Sequence, residues 1–338
     1  FGFKDIPPPF EAEGKIDLVK GIFKTKEFIV VYGPEKSGKT YVSLSLALGI
    51  ANKKAPHELW EINQEINAGV MYCHGEMTDS EIGERIKDIE IKMGIRKKTL
   101  NFKSLNLRDN FKELGKGVFD LTDTNCQEYL KEQIKEFRNK SKSINQMVII
   151  LDNYSCLMGT GSQQGDIFNS VYKFILNLQS EYECCVILVC HDNAEGHVAS
   201  SRQIIRKVDG VIKVSAVAEW KEEIRKSFFS KVSVKNLIDF ETIENELVNE
   251  FVEPKGFLKA HIDYQNFRHL GKLNPFAMTF RFDHEYSSPY AWEIEEADKE
   301  GYIKDLVALY SERHSARKNK DASKSDDGRK KARNKIRY

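Results

Sequence analysis

Residues 33–40 read Gly33-Pro34-Glu35-Lys36-Ser37-Gly38-Lys39-Thr40, which matches the spacing GxxxxGK[ST]. That spacing suits one task. Glycines let successive backbone N–H groups curl round phosphate oxygens, and a helix starting there adds the positive end of its dipole. Lys39 is then within reach of the β- and γ-phosphates of a nucleoside triphosphate, and the Thr40 hydroxyl can ligate Mg²⁺. A second signal is an apolar run that ends in Asp152, an acid placed to hold the same Mg²⁺ directly or through water. Gly75-Glu76 closes another apolar run. A carboxylate there can orient or deprotonate an attacking water, which separates hydrolysis from phosphotransfer. His191 ends a fourth run and is placed to sense the γ-phosphate. Taken singly, each of these residues is more often structural. Lys39, Glu76, Asp152 and His191 at four strand ends form a set.

Bringing such a set together requires strands whose carboxyl ends share one edge, because that is where parallel α/β sheets gather functional side chains. The apolar runs are EFIVVY (27–32), GVMYCHG (69–75), QMVIILD (146–152), CCVILVC (184–190) and GVIKV (210–214). They are continuous rather than alternating, as expected of strands buried on both faces of a parallel sheet. Helical patterns fall between them at 39–52, 79–93, 123–139 and 166–182, the third with Thr122 or Asp123 as its N-cap. Strand and helix in alternation imply an α/β doubly wound fold. Beyond this core, 216–255 is highly charged and helix-like and reads as an insertion. Two β-like runs, 256–267 and 276–283, are joined by RHLGKLNP and read as a late hairpin. Residues 291–312 are expected to form a last helix.

Composition bounds the class. With 338 residues, 41% hydrophobic and 30% charged, the chain can form one large domain with appendages or two small ones. The net charge of +1 is unevenly spread: from Arg313 to Tyr338 eleven Lys/Arg stand against three Asp, a local +8. Such a tail suits either a polyanion-binding arm or a solvated terminus. The six cysteines show no CxxC spacing and sit in or near apolar runs, which points to buried thiols in a reducing compartment rather than disulfides or zinc. Nothing approaches the roughly 18 apolar residues of a membrane span, and the N-terminus has no signal-peptide pattern. The expectation is a cytoplasmic protein without membrane contact. Because the chain starts at Phe1 rather than Met, it reads as a piece of a longer protein.

Several segments together resemble the RecA/DnaB-like ATPases and, within them, the RepA-type hexameric replicative helicases of plasmids and phages. They are GPEKSGKT (33–40), VMYCHGEMTDSEIGERI (70–86), FDLTD (119–123), IILDNYSCL (149–157), VILVCHD (186–192), ASSRQIIRKVDGVIKV (199–214) and NFRHLGKLNPFAMTFRFD (266–283). The resemblance implies a RecA-like P-loop NTPase core over 1–285, a mostly parallel sheet flanked by helices, with a late β-hairpin and the 216–255 helical insertion. A C-terminal helical segment (286–312) and a basic tail (313–338) follow. It further implies ATP and Mg²⁺ as ligands, Glu76 as the catalytic glutamate, and His191 as the link between γ-phosphate and DNA-facing loops. Partners would be single-stranded DNA and further copies in a ring, expected to be a hexamer. An arginine finger would cross between subunits, from Arg268 on the hairpin or from Arg206. Asn266 stands where the family's Lys-x-Arg pattern has its lysine, which leaves the choice of finger open. Two Gly/Ser-rich stretches, 159–166 and 192–202, would face the central channel, with Arg202 as their one cation.

Other readings stay open at this stage. One is a RecA- or KaiC-like ATPase acting as recombinase or regulator, and another is a nucleotide-dependent DNA-binding scaffold that does not unwind. A GTPase is disfavoured: Asn52-Lys53-Lys54-Ala55 half matches the base-reading NKxD motif and sits on the wrong element. A small-molecule kinase lacks a clear lid arginine cluster.

Overall fold

The computed structural model describes residues 14–158 apart from 98, 116, 141 and 142, then 165–192, 206–216, 257–265, 267, 273–283, 288–296, 308 and 311. By contacts the chain divides into two compact units, Phe1–Ala216 with Leu258–Glu295, and Val217–Phe257 with Glu296–Tyr338. The elements below describe the first.

A small antiparallel pair, β1 (Asp17–Val19) and β2 (Phe23–Lys24), precedes the main sheet. Next come β3 (Phe28–Gly33), α1 (Lys39–Asn52), β4 (Ala68–His74), α2 (Asp79–Lys92), β5 (Phe102–Asn106), α3 (Leu107–Glu113) and α4 (Thr124–Lys140). The chain continues through β6 (Gln146–Asp152), α5 (Gly165–Tyr182), β7 (Cys185–His191), β8 (Gly210–Ala216), β9 (Phe257–Gln265), β10 (Phe276–Arg281) and β11 (Trp292–Glu296). The nine-stranded sheet has the order β11-β10-β9-β8-β3-β7-β6-β4-β5. Every pairing from β8 to β5 is parallel, and β9 runs antiparallel to β8. This is the mostly parallel, helix-flanked α/β sheet that the sequence predicts, with its late strands added at one edge.

The continuous apolar runs resolve into two cores because strand side chains alternate between faces. Ile29, Val31, Val70, Tyr72, Val148, Ile150, Ile187 and Val189 pack on the face covered by α1 and α2. Their neighbours Phe28, Val30, Met71, Cys73, Ile149, Leu151, Val186 and Leu188 pack on the other, against Leu130, Ile134 and Phe137 of α4 and Phe168, Val171 and Ile175 of α5. Helix α1 is buried almost all round, as expected of a helix wedged between a sheet and a second layer. All six thiols are free. Burial pushes Cys73 and Cys184 up to about 12, so these two are packing groups rather than nucleophiles.

Local signals set several boundaries. Asp123 caps α4: its Oδ1 accepts the N–H groups of Asn125 and Cys126 at 2.8 and 3.1 Å. Thr78 opens α2 through a capping box, its hydroxyl accepting the Glu81 N–H while the Glu81 carboxylate accepts the Thr78 N–H. The cap lies two residues past Glu76 and so anchors the segment that carries it. Replacing Thr78 by alanine is expected to cost about 1 kcal/mol, read from the shift in denaturant midpoint.

Two edges depart from the sequence pattern. Residues 102–113, to which the sequence pattern assigns no element, form β5 and α3. Residues 292–296, expected to begin a terminal helix, form β11 instead. Helical propensity in TrpGluIleGluGlu yields there to tertiary contacts. The Trp292 ring is buried, its indole N–H donates to Ser45 Oγ of α1 at 2.9 Å, and Arg281 pairs with Glu293 at 3.0 Å between β10 and β11. Of the insertion expected at 216–255 only Ala216 is described, as the last residue of β8; the rest of it and the tail at 313–338 lie outside the described residues. Among the described residues no helix is long and apolar enough to cross a membrane.

Candidate functional site

Parallel register brings four strand ends to one level. Gly33 of β3 stands opposite His191 of β7, Asp152 of β6 opposite Val189 of β7, and His74 of β4 opposite Asp152. Residues more than 150 positions apart in the chain thereby share one edge, with Gly33–Thr40 between β3 and α1.

Within that loop Gly38 takes a left-handed conformation (φ 93°) that a side chain disfavours, and it is the N-cap of α1. As glycine it offers no side-chain cap, and no acidic residue lies in the first turn. The leading N–H groups of the helix therefore face whatever anion enters the loop. Lys39 folds back, donating from Nζ to Gly33 O at 2.9 Å and to Pro34 O. Burial lowers its pKa from the usual lysine value, against the pull of Asp152, Asp192 and Glu76. The Ser37 hydroxyl is buried and has no hydrogen-bond partner among the described residues. An orphaned hydroxyl, an uncapped helix start and a lysine satisfied only by its own loop's carbonyls all fit a phosphate chain.

Asp152 is 4% exposed. Burial raises its carboxyl pKa above the usual range, although hydrogen bonds from Tyr72 and Thr40 oppose this. The Tyr72 phenol is itself wholly buried, donates to Asp152 Oδ2, and lies 3.1 Å from Ser43 Oγ of α1. A buried carboxylate beside the Thr40 hydroxyl suits a divalent cation, whose charge would favour the ionised form. Mg²⁺ needs few protein ligands there, since it keeps waters and takes phosphate oxygens.

Glu76 is exposed just past β4, and His191 is half-buried at the end of β7. The structure joins them through Asn153, a residue to which the sequence pattern assigns no role. Its Nδ2 contacts Glu76 Oε2 and lies 3.0 Å from His191 Nε2. Tyr72 and Ser43 likewise have no role in the sequence pattern. The signal for Tyr72 is a hydroxyl inside an otherwise apolar run, because a buried phenol must find a partner. For Asn153 no signal exists in one dimension, since its partners lie 77 and 38 residues away. Past the loop, the Arg85 guanidinium lies 5.2 Å over the Tyr41 ring, and Phe282 meets that ring edge-on at 5.5 Å.

Arg206 is exposed at the entry to β8, whose Gly210 stands opposite Ile29 near the start, not the loop end, of β3. Arg268, Asn266, Arg202 and the stretches 159–164 and 193–201 lie outside the described residues.

Two solved structures align over most of the chain. One, described as an ATPase domain, is 11% identical, with 85% of this chain and 94% of that one covered and a TM-score of 0.49. A KaiC-like protein from Pyrococcus horikoshii OT3 is 10% identical, with 82% and 93% covered and a TM-score of 0.45. No curated protein matches in sequence. A family model described as "AAA domain" matches residues 10–197, more than half of the chain and the whole span from the Gly33–Thr40 loop to His191. With the P-loop, the acid-ended strand and the family match in agreement, the chain belongs to the AAA domain family of P-loop ATPases.

Proposed function

We propose that the chain is the ATP-hydrolysing motor of a RepA-type replicative DNA helicase, acting on single-stranded DNA as a ring of identical subunits. One observation carries the hydrolytic part: Glu76 reaches the same sheet edge as Lys39 and Asp152, tied through Asn153 to His191. A carboxylate beside the phosphate loop can take the proton of an attacking water.

In this reading the loop N–H groups and α1 take the phosphates, and Lys39 exchanges the carbonyls of Gly33 and Pro34 for β- and γ-oxygens. Thr40 and Asp152 would hold Mg²⁺, which when bound neutralises charge on the phosphates. Tyr72 keeps one Asp152 oxygen turned inward. Glu76 orients the water and accepts its proton, and His191 registers loss of the γ-phosphate. The cationic and aromatic face of Arg85, Tyr41 and Phe282 offers a purine base a surface for stacking. An arginine from a neighbouring copy, Arg268 or Arg206, would complete the site. The motor reading rests on the sequence resemblance described above and on the basic tail.

Steady-state ATPase rates with and without single-stranded DNA, alongside gel filtration, test the proposal. A rate that rises severalfold with DNA and a ring-sized particle are expected. A rate indifferent to DNA from a monomer sinks the motor reading. Strand displacement on forked DNA then separates unwinding from a recombinase or regulator.

A further inference from the structure

Asn153 is bonded on every side, and its bonds divide into two kinds. Oδ1 accepts the Cys156 backbone N–H at 3.0 Å and the Ser155 hydroxyl at 2.8 Å, closing a local turn after β6. A backbone N–H can only donate, so Oδ1 must face it and the amide cannot flip. Nδ2 is thereby aimed at the opposite side, where its two hydrogens meet two acceptors, Glu76 Oε2 and His191 Nε2. This also sets the histidine tautomer. Nε2 accepts, so the neutral ring carries its proton on Nδ1, which has no partner among the described residues. The side chain is 2% exposed, so water does not compete for these bonds.

Glu76, by contrast, is exposed on the short segment between β4 and α2, where a free glutamate would sample several rotamers. We infer that Asn153 is a positioning residue for hydrolysis: its amide holds the Glu76 carboxylate at the angle the attacking water requires and ties that carboxylate to His191. The inference rests on the proposed ATPase reading. Asn153 itself touches neither water nor phosphate in it. Its effect runs through Glu76, because one rigid amide spans the end of β7 and the segment after β4. A displacement of His191 is then transmitted to the carboxylate without any change in the phosphate loop.

The test separates this role from the turn that Oδ1 closes. Asn153→Asp keeps the acceptor oxygen and the shape but replaces both donors with a second oxygen that repels Glu76. Asn153→Ser keeps an acceptor for the turn and removes the amide without adding charge. For both, kcat is expected to fall about 10- to 100-fold, the scale of a misplaced catalytic group, while ADP affinity by titration stays within about twofold of native. In a Glu76→Gln background, single-turnover rates should show no further fall, since the residue to be positioned no longer acts.

Native kcat in both variants overturns the inference. So does a parallel loss of kcat and ADP affinity, which marks a structural role, or an undiminished second fall in the Glu76→Gln background. Failure of the underlying reading looks different: the unaltered chain would show no ATP turnover, or Glu76→Gln would leave turnover unchanged, and the inference would fall with it.

Discussion

A Glu76→Gln chain is expected to bind nucleotide with unchanged affinity and to turn it over at least about 100-fold more slowly, the lower range for loss of a general base. The substitution is nearly isosteric and sits at an exposed position, so the fold has little reason to respond. Phosphate binding belongs to the Gly33–Thr40 loop and the start of α1, neither of which Glu76 builds. The introduced amide can still accept from Asn153 through its carbonyl oxygen, so the geometry is retained while the basicity is lost. The split is diagnostic: kcat falls and ADP affinity by fluorescence titration does not. A fall in both would mean that Glu76 supports the loop. No fall in kcat would remove Glu76 from the chemistry and leave the site one that binds without hydrolysing.

Gly33→Ala is expected to destabilise the chain by about 3 kcal/mol, the upper part of the usual range for overpacking, read from the denaturant midpoint at constant m-value. Sequence suggests that this glycine serves phosphate binding through backbone freedom. The structure adds a second reason. Beyond a φ of 158°, which L side chains rarely adopt, an added Cβ would lie 1.8 Å from Val214 O and 2.9 Å from Val214 C on β8. Both atoms are backbone, so no rotamer change relieves the clash, and β3 and β8 must part. The displaced Gly33 carbonyl also accepts from Lys39 and from the Asp192 N–H at 3.1 Å. Nucleotide affinity should therefore fall as well. An unchanged midpoint would show that the strands adjust at little cost.

Much of the sheet and its helices was legible because burial on both faces leaves a strong signal. Residues 146–152 and 39–52 form β6 and α1 within the limits read from sequence, and Asp123 caps α4 as its residue type suggests. Edges were not legible. In β5 only Leu105 and Asn106 are buried, so the strand lacks an apolar run to announce it. At β11 a glutamate-rich stretch favours a helix until Trp292 finds its pocket on α1.

The division in the site has the same origin. Phosphate chemistry depends on eight consecutive residues, so Gly33 to Thr40 declare it wherever the chain goes. Local order likewise suffices to set Glu76, Asp152 and His191 at strand ends. Which strand ends meet is decided by the sheet order, where β7 lies between β3 and β6, and β4 lies beyond β6. That order brings Tyr72 to Asp152 across 80 positions and Asn153 to both Glu76 and His191. Hydrogen bonds of such range leave no periodicity behind, because each is a meeting of single side chains that only packing in three dimensions arranges.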